Sequence, residues 1–240
     1  MYKPRKSYAL WITGHILRLI ATLIVAAVCF CMLWRVFISS IPPAAFKQLA
    51  PNDALAEAYR THGEDLQMFT QEQGTVTRSE KSAGYFGYTM ATFIPDAKQL
   101  QVVFRYNNST LKYIQQDFAL EEQPPKGVLI FDVTLTTIFD TTPDDKTDNV
   151  DGSPNLAKVR TAPTSHEIDT TLLYTYVRYT FDNVEMTEDA ITAFLDVYYE
   201  ADVNYDAEPL GTLRLYHVES PNLAVKLTSK EKKALDAYQS

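Results

Sequence analysis

The run from Leu19 to Trp34, LIATLIVAAVCFCMLW, holds no charged residue and follows the basic start MYKPRKSY. Its 16 residues make about 24 Å of helix, a little less than a hydrocarbon core of about 30 Å. Leu10, Trp11, Ile12, Ile16 and Leu17 extend it on one side, and Val36, Phe37 and Ile38 on the other, provided that Arg18 and Arg35 snorkel to opposite headgroup layers. Trp11 and Trp34 suit the two aromatic belts. Pro42 and Pro43 lack amide donors and push Ile41 out of helical geometry, which predicts a helix end near Ser40.

A segment of this kind implies a single-pass membrane protein whose partner is the lipid bilayer. Lys3, Arg5, Lys6 and Arg18 precede the span, against Arg35 and Lys47 after it. The positive-inside bias therefore places the N-terminus in the cytoplasm and the remainder outside the plasma membrane. The apolar stretch exceeds the usual h-region and no A-x-A site follows it, so an uncleaved signal-anchor is expected rather than a cleaved leader.

Charge divides the same way. Six of the 22 basic residues and none of the 30 acidic ones lie before Gln48, which leaves the rest of the chain with 16 basic against 30 acidic residues. That part has a net charge of about −14 and repels phosphate backbones, which argues against a nucleic-acid partner. Both cysteines, Cys29 and Cys31, fall in the span, so the outer part has neither a disulfide nor a thiol nucleophile. Its roughly 190 residues suffice to bury a core without either.

From Phe46 to about Gly74 the periodicity is helical. Asn52 is placed to cap a helix through Leu55, Ala58 and Tyr59 that stops at Gly63, and a second short helical piece is expected around Leu66 and Phe69. From Gly84 the period becomes two. AGYFGYTMATFI, KQLQVVFRY, GVLIFDVTLTTIFD, LLYTYVRYTF and AFLDVYYEADV each show one apolar face, with shorter candidates at Gly211–Val218 and Leu223–Leu227 and an edge candidate at Leu156–Arg160. Prolines fall between these segments, where a missing ladder donor does no harm. One-sided alternation marks antiparallel sheet, and about seven strands predict a β-sandwich of immunoglobulin-like architecture. Thr228 and Glu231 form a capping box that opens a C-terminal helix. The expected organisation is a basic cytoplasmic tail (1–8), a transmembrane helix and flanks (9–41), a helical stalk or linker (42–82), the sandwich (83–227) and the C-terminal helix (228–240).

Signs of catalysis are weak. Asp196, Glu200 and Asp202 share the polar face of one strand, Glu200 and Asp202 about 7 Å apart, a spacing an acidic outer face also produces. The acidic loop from Asp144 to Gly152 resembles a calcium loop, but Thr147 and Lys158 stand at positions that need ligands, so a solvated loop is expected. His62, His166 and His217 form no H-E-x-x-H pattern, and neither G-x-S-x-G nor a phosphate loop occurs. No cofactor and no metal is expected. Asn107 and Asn108 open overlapping glycosylation sequons.

The best surface hint is aromatic. Opposite the apolar face of LLYTYVRYTF stand Tyr174, Tyr176 and Arg178, with Tyr198 expected to extend them across a neighbouring strand. These residue types are enriched at binding hot spots, so the four form a candidate interface for a protein or glycan partner. The resulting expectation is a membrane-anchored, extracytoplasmic binding or structural module that is not an enzyme. The alternatives are a cell-surface hydrolase working through outer carboxylates and a subunit of a membrane complex.

Overall fold

The computed structural model describes residues 8–72, 76–78, 86–140, 156–184, 190–200, 203–215 and 224–238. The chain divides into two compact units, Met1–Ile41 and Pro42–Ser240.

Among the described residues the first unit is one helix, α1 (Tyr8–Ser40). Its stretch from Ile12 to Ser39 is long and apolar enough to cross a membrane. Side chains such as Phe30, Leu33 and Phe37 are exposed along it, as a helix solvated by lipid requires. Thr22 and Ser39 turn their hydroxyls back onto the carbonyls of Arg18 and Arg35, at 2.9 and 2.7 Å, so neither adds an unmet polar group to the apolar surface. The helix ends at Ser40, where the two prolines were expected to stop it.

The second unit is mainly β. A first sheet contains β1 (Met68–Glu72), β3 (Phe86–Ile94), β4 (Gln99–Asn107), β7 (Ser165–Thr170), β8 (Tyr174–Phe181) and β11 (Ala224–Val225), in the order β11-β1-β3-β4-β8-β7. A second contains β2 (Val76–Arg78), β5 (Phe131–Asp140), β6 (Leu156–Thr161), β9 (Ala190–Tyr199) and β10 (Gly211–Leu215), in the order β2-β10-β9-β5-β6. Every described pairing is antiparallel.

The expected apolar faces of β4, β5, β8 and β9 meet in one core, joined by Phe86, Ala91 and Phe93 of β3, where a register shift between Tyr88 and Met90 sends the expected Met90 and Ile94 to other clusters. Val102, Phe104, Val177 and Tyr179 of the first sheet pack with Val133, Leu135, Leu195 and Val197 of the second. Phe131 lies 5.2 Å from the ring of Phe86 and 5.9 Å from that of Tyr106. The Tyr179 hydroxyl donates to the Phe131 carbonyl, one sheet to the other, and burial raises the Tyr179 phenol well above its ordinary value. Replacing Tyr179 by Phe leaves that carbonyl without this donor. It is expected to lower stability by about 1 to 3 kcal/mol, read as a shift in the urea midpoint.

Within the expected stalk (42–82), the described residues 42–72 and 76–78 depart from a helical linker. Asn52 does cap α2 (Asp53–His62), accepting from the Leu55 amide at 3.0 Å, and Gly63 ends it at φ 57°. The segment around Leu66 and Phe69 is not a helix but leads into β1, paired with β3 and β11 inside the first sheet, while β2 pairs with β10 in the second. Apolar positions spaced closely enough for a short helix serve equally as one strand, and the neighbouring edge of β3 decides between them. Leu49, Leu55, Ala58 and Met68 also share a buried cluster with Ile94 and with Leu235 of α4 (Ser229–Ala237), so this stretch is part of the β unit. A further helix, α3 (Leu111–Asp117), and β7 were not anticipated from the sequence.

A buried polar clamp as candidate functional site

The alternation along β4 and β8 leaves Gln99, Gln101 and Val103, with Tyr174, Tyr176 and Arg178, on the face of the first sheet turned away from the shared core. That face is not open. Both strands are buried on both sides, and Tyr176 and Arg178 are only 0% and 3% exposed.

The cover is the segment that follows α1. Pro43, at φ −53° and ψ 147°, leads into a single 3-10 turn, Ala44–Lys47, closed by the Phe46 amide on the Pro43 carbonyl at 2.9 Å. The turn drives Phe46 down onto the sheet, where it is buried with Val103 and Tyr176, its ring 6.1 Å from that of Tyr176. Past the turn the chain runs on to Ala50, with backbone groups that no strand satisfies.

Side chains of the domain satisfy them. Arg178 donates through Nη2 to the carbonyls of Ala45 and of Gln48, the latter at 2.8 Å, and through Nη1 to Glu167 Oε2 at 2.8 Å; its guanidinium lies 5.0 Å from the centre of the Phe46 ring. The Leu49 amide donates to Glu231 Oε1 at 2.8 Å. Gln101 takes both groups of Ala50, accepting from its amide and donating to its carbonyl, each at 2.8 Å. Gln101 is oriented in turn by Gln99, which donates to Asp182 at 2.7 Å.

Arg178 is the centre of this arrangement. Burial pulls its pKa below the ordinary value, and Glu167 and Glu231 oppose that pull. A guanidinium stays charged regardless, and only its planar fork serves two carbonyls and a carboxylate together. Glu167 is 55% exposed, so little of the stabilisation comes from the ion pair itself; it comes from seating buried carbonyls and an aromatic ring. Glu231 performs two tasks. Its Oε2 accepts from the Thr228 amide and hydroxyl, both at 2.7 Å, closing the anticipated capping box, while Oε1 reaches the Leu49 amide.

The candidate interface is therefore corrected in two respects. Tyr176 and Arg178 lie under the segment 44–50 and offer no free surface. Tyr174 is half-buried, with the Arg105 guanidinium 4.8 Å from its ring centre. Tyr198 does not extend the group, because β9 belongs to the second sheet; it is buried there, 5.3 Å from the ring of Tyr205.

Of the three strand carboxylates, Asp196 and Glu200 are among the described residues. Asp196 is buried, accepting from the hydroxyls of Thr136 at 2.8 Å and Thr212 at 2.9 Å; Glu200 lies beyond the end of β9, and Asp202 is outside the described residues. Arg178 pairs with Glu167 rather than with Asp196 or Glu200. His62 ends α2 and His166 is exposed on β7, whereas His217 and the loop from Asp144 to Gly152 lie outside the described residues. No group of three or more His, Cys, Asp or Glu is placed to hold a metal among the described residues. Of the two sequons, Asn108 is buried, donating to the Thr171 carbonyl and accepting from Thr175; Asn107 is only partly buried, its side chain accepting from the Ser109 amide.

No family model, curated protein or solved structure matches this chain.

Proposed function

We propose that this chain is a single-pass protein of the plasma membrane, N-terminus in the cytoplasm, presenting an extracytoplasmic β domain as a non-enzymatic binding or structural module. The clamp is the observation that carries this reading. Only Ile41–Ala44 lie between the last residue of α1 and the first carbonyl held by Arg178, so the chain leaving the helix is gripped at once by buried side chains. A polar device of this density, spent on six residues next to a span-length apolar helix, fits a module whose attachment must be firm. The basic residues before the span and the acidic domain after it support the orientation.

The two sheets with their common core are read as the layers of a sandwich, and the likeness to an immunoglobulin domain extends to two antiparallel layers. The topology is tested with an epitope tag after Ser240. Protease added to intact cells is expected to remove the tag. Protection in intact cells, with digestion in inverted vesicles, reverses the assigned orientation.

A further inference from the structure

β6 and β7 are the last strands of their sheets, β6 of the second and β7 of the first, and only Ala162, Pro163 and Thr164 separate them. Among the described residues no strand pairs with the outer edge of either. Both are open to solvent, with Val159 of β6 47% exposed and five of the six residues of β7 exposed. An unpaired edge of this kind is a template for another strand.

The charges on the two edges are opposite. β6 carries Lys158 and Arg160, and its pairing with β5 puts both on the face turned away from the core, with Val159 on the core side. β7 carries Glu167 and Asp169 on the outer face, opposite Arg178 and Tyr176, with Ile168 on the core side opposite Val177. Charges commonly protect edges, and a single sign would serve for that. Here two signs are sorted onto two edges. Like charges meet when β6 faces β6 or β7 faces β7, which is unfavourable; β6 against β7 brings opposite charges together.

We propose that two copies of this chain associate about a two-fold axis near Pro163, β6 of each pairing antiparallel with β7 of the other. A single register satisfies both faces: Lys158 opposite Asp169, Val159 opposite Ile168, and Arg160 opposite Glu167. Shifting it by one residue puts the charges against the apolar positions. The contact is isologous, so each pairing occurs twice.

The test uses the full chain with Cys29 and Cys31 replaced by alanine, reconstituted in lipid vesicles. Lys158→Cys with Asp169→Cys places the thiols directly opposite, at a Cα separation of about 4.5 to 5.5 Å that a disulfide spans. Lys158→Cys with Ser165→Cys sets them four residues out of register, about 13 Å along the strand. Mild oxidation is expected to give covalent dimer in the first variant and a loss of it in the second. In detergent, the cysteine-free chain is expected at the mass of two copies, Lys158→Glu at the mass of one, and Lys158→Glu with Asp169→Lys again at two. Equal cross-linking of both cysteine pairs, cross-linking of neither, a monomeric parent chain, or a charge swap that restores nothing overturns the proposal. Lys158, Ser165 and Asp169 are all exposed on the β unit, so their replacements are expected to leave it folded.

Discussion

Arg178→Ala is expected to cost the β domain about 3 kcal/mol, enough to remove a large share of the stability of a domain of this kind. The carbonyls of Ala45 and Gln48 lose their buried donor, and each costs about 1 to 3 kcal/mol when left unmet. Phe46 loses the cation against its ring. The pair with Glu167 adds little, since that carboxylate is half open to water. Urea unfolding of a chain beginning at Pro42 measures the loss, and limited proteolysis locates it, with cutting appearing first at Lys47. Arg178→Lys is expected to recover only part of the stability, because a point charge cannot replace the fork. A change within about 0.5 kcal/mol, the range of ordinary surface substitutions, would mean that the segment is not held by Arg178.

Tyr176→Ser and Tyr174→Ser are expected to differ sharply although they lie two residues apart on one face. Tyr176 is fully buried beneath Phe46, and burial raises its phenol above the ordinary value with Arg105 opposing. Truncating an aromatic side chain at such a position costs about 3 to 5 kcal/mol through lost transfer energy and the cavity left behind. Tyr174 is half-buried and stacks on Arg105, a contact of about 0.5 to 1 kcal/mol at a solvent-accessible site. Thermal melts of the two single variants decide the matter. If both changes are small, the face is open and the cover formed by residues 44–50 is wrong.

Much of the architecture was legible. The one-sided alternation of β4, β5, β8 and β9 marks their core positions, and Phe104, Val133, Tyr179 and Leu195 all lie in the shared core; in β3 a register shift between Tyr88 and Met90 puts Ala91 and Phe93 there instead of the expected Met90 and Ile94. The caps were legible too, since Asn52 and the pair Thr228 and Glu231 act on amides within three residues. β7 was not, because SHEIDT sets His166, Ile168 and Thr170 on the core side with only one aliphatic residue among them. The clamp was the least legible element. Leu49 meets Glu231 at a separation of 182 residues, and Arg178 meets Ala45 at 133. Tyr174, Tyr176 and Arg178 were placed correctly on the face away from the core, and nothing local said that a second layer covers it.

By itself the sequence determined α1 and the core faces of β4, β5, β8 and β9. Lipid or a core selects for apolarity position by position, and that selection is written in residues one, two or four apart. Only the tertiary structure decided that residues 42–72 belong to the β unit, that Phe46 fills the groove over Tyr176, and that Arg178 and Glu231 serve the backbone of the segment leaving the helix. Those contacts satisfy buried polar groups with side chains from far along the chain. Such a side chain has the same composition and local spacing whether it meets water or a carbonyl, so its role appears only when the chain is closed on itself.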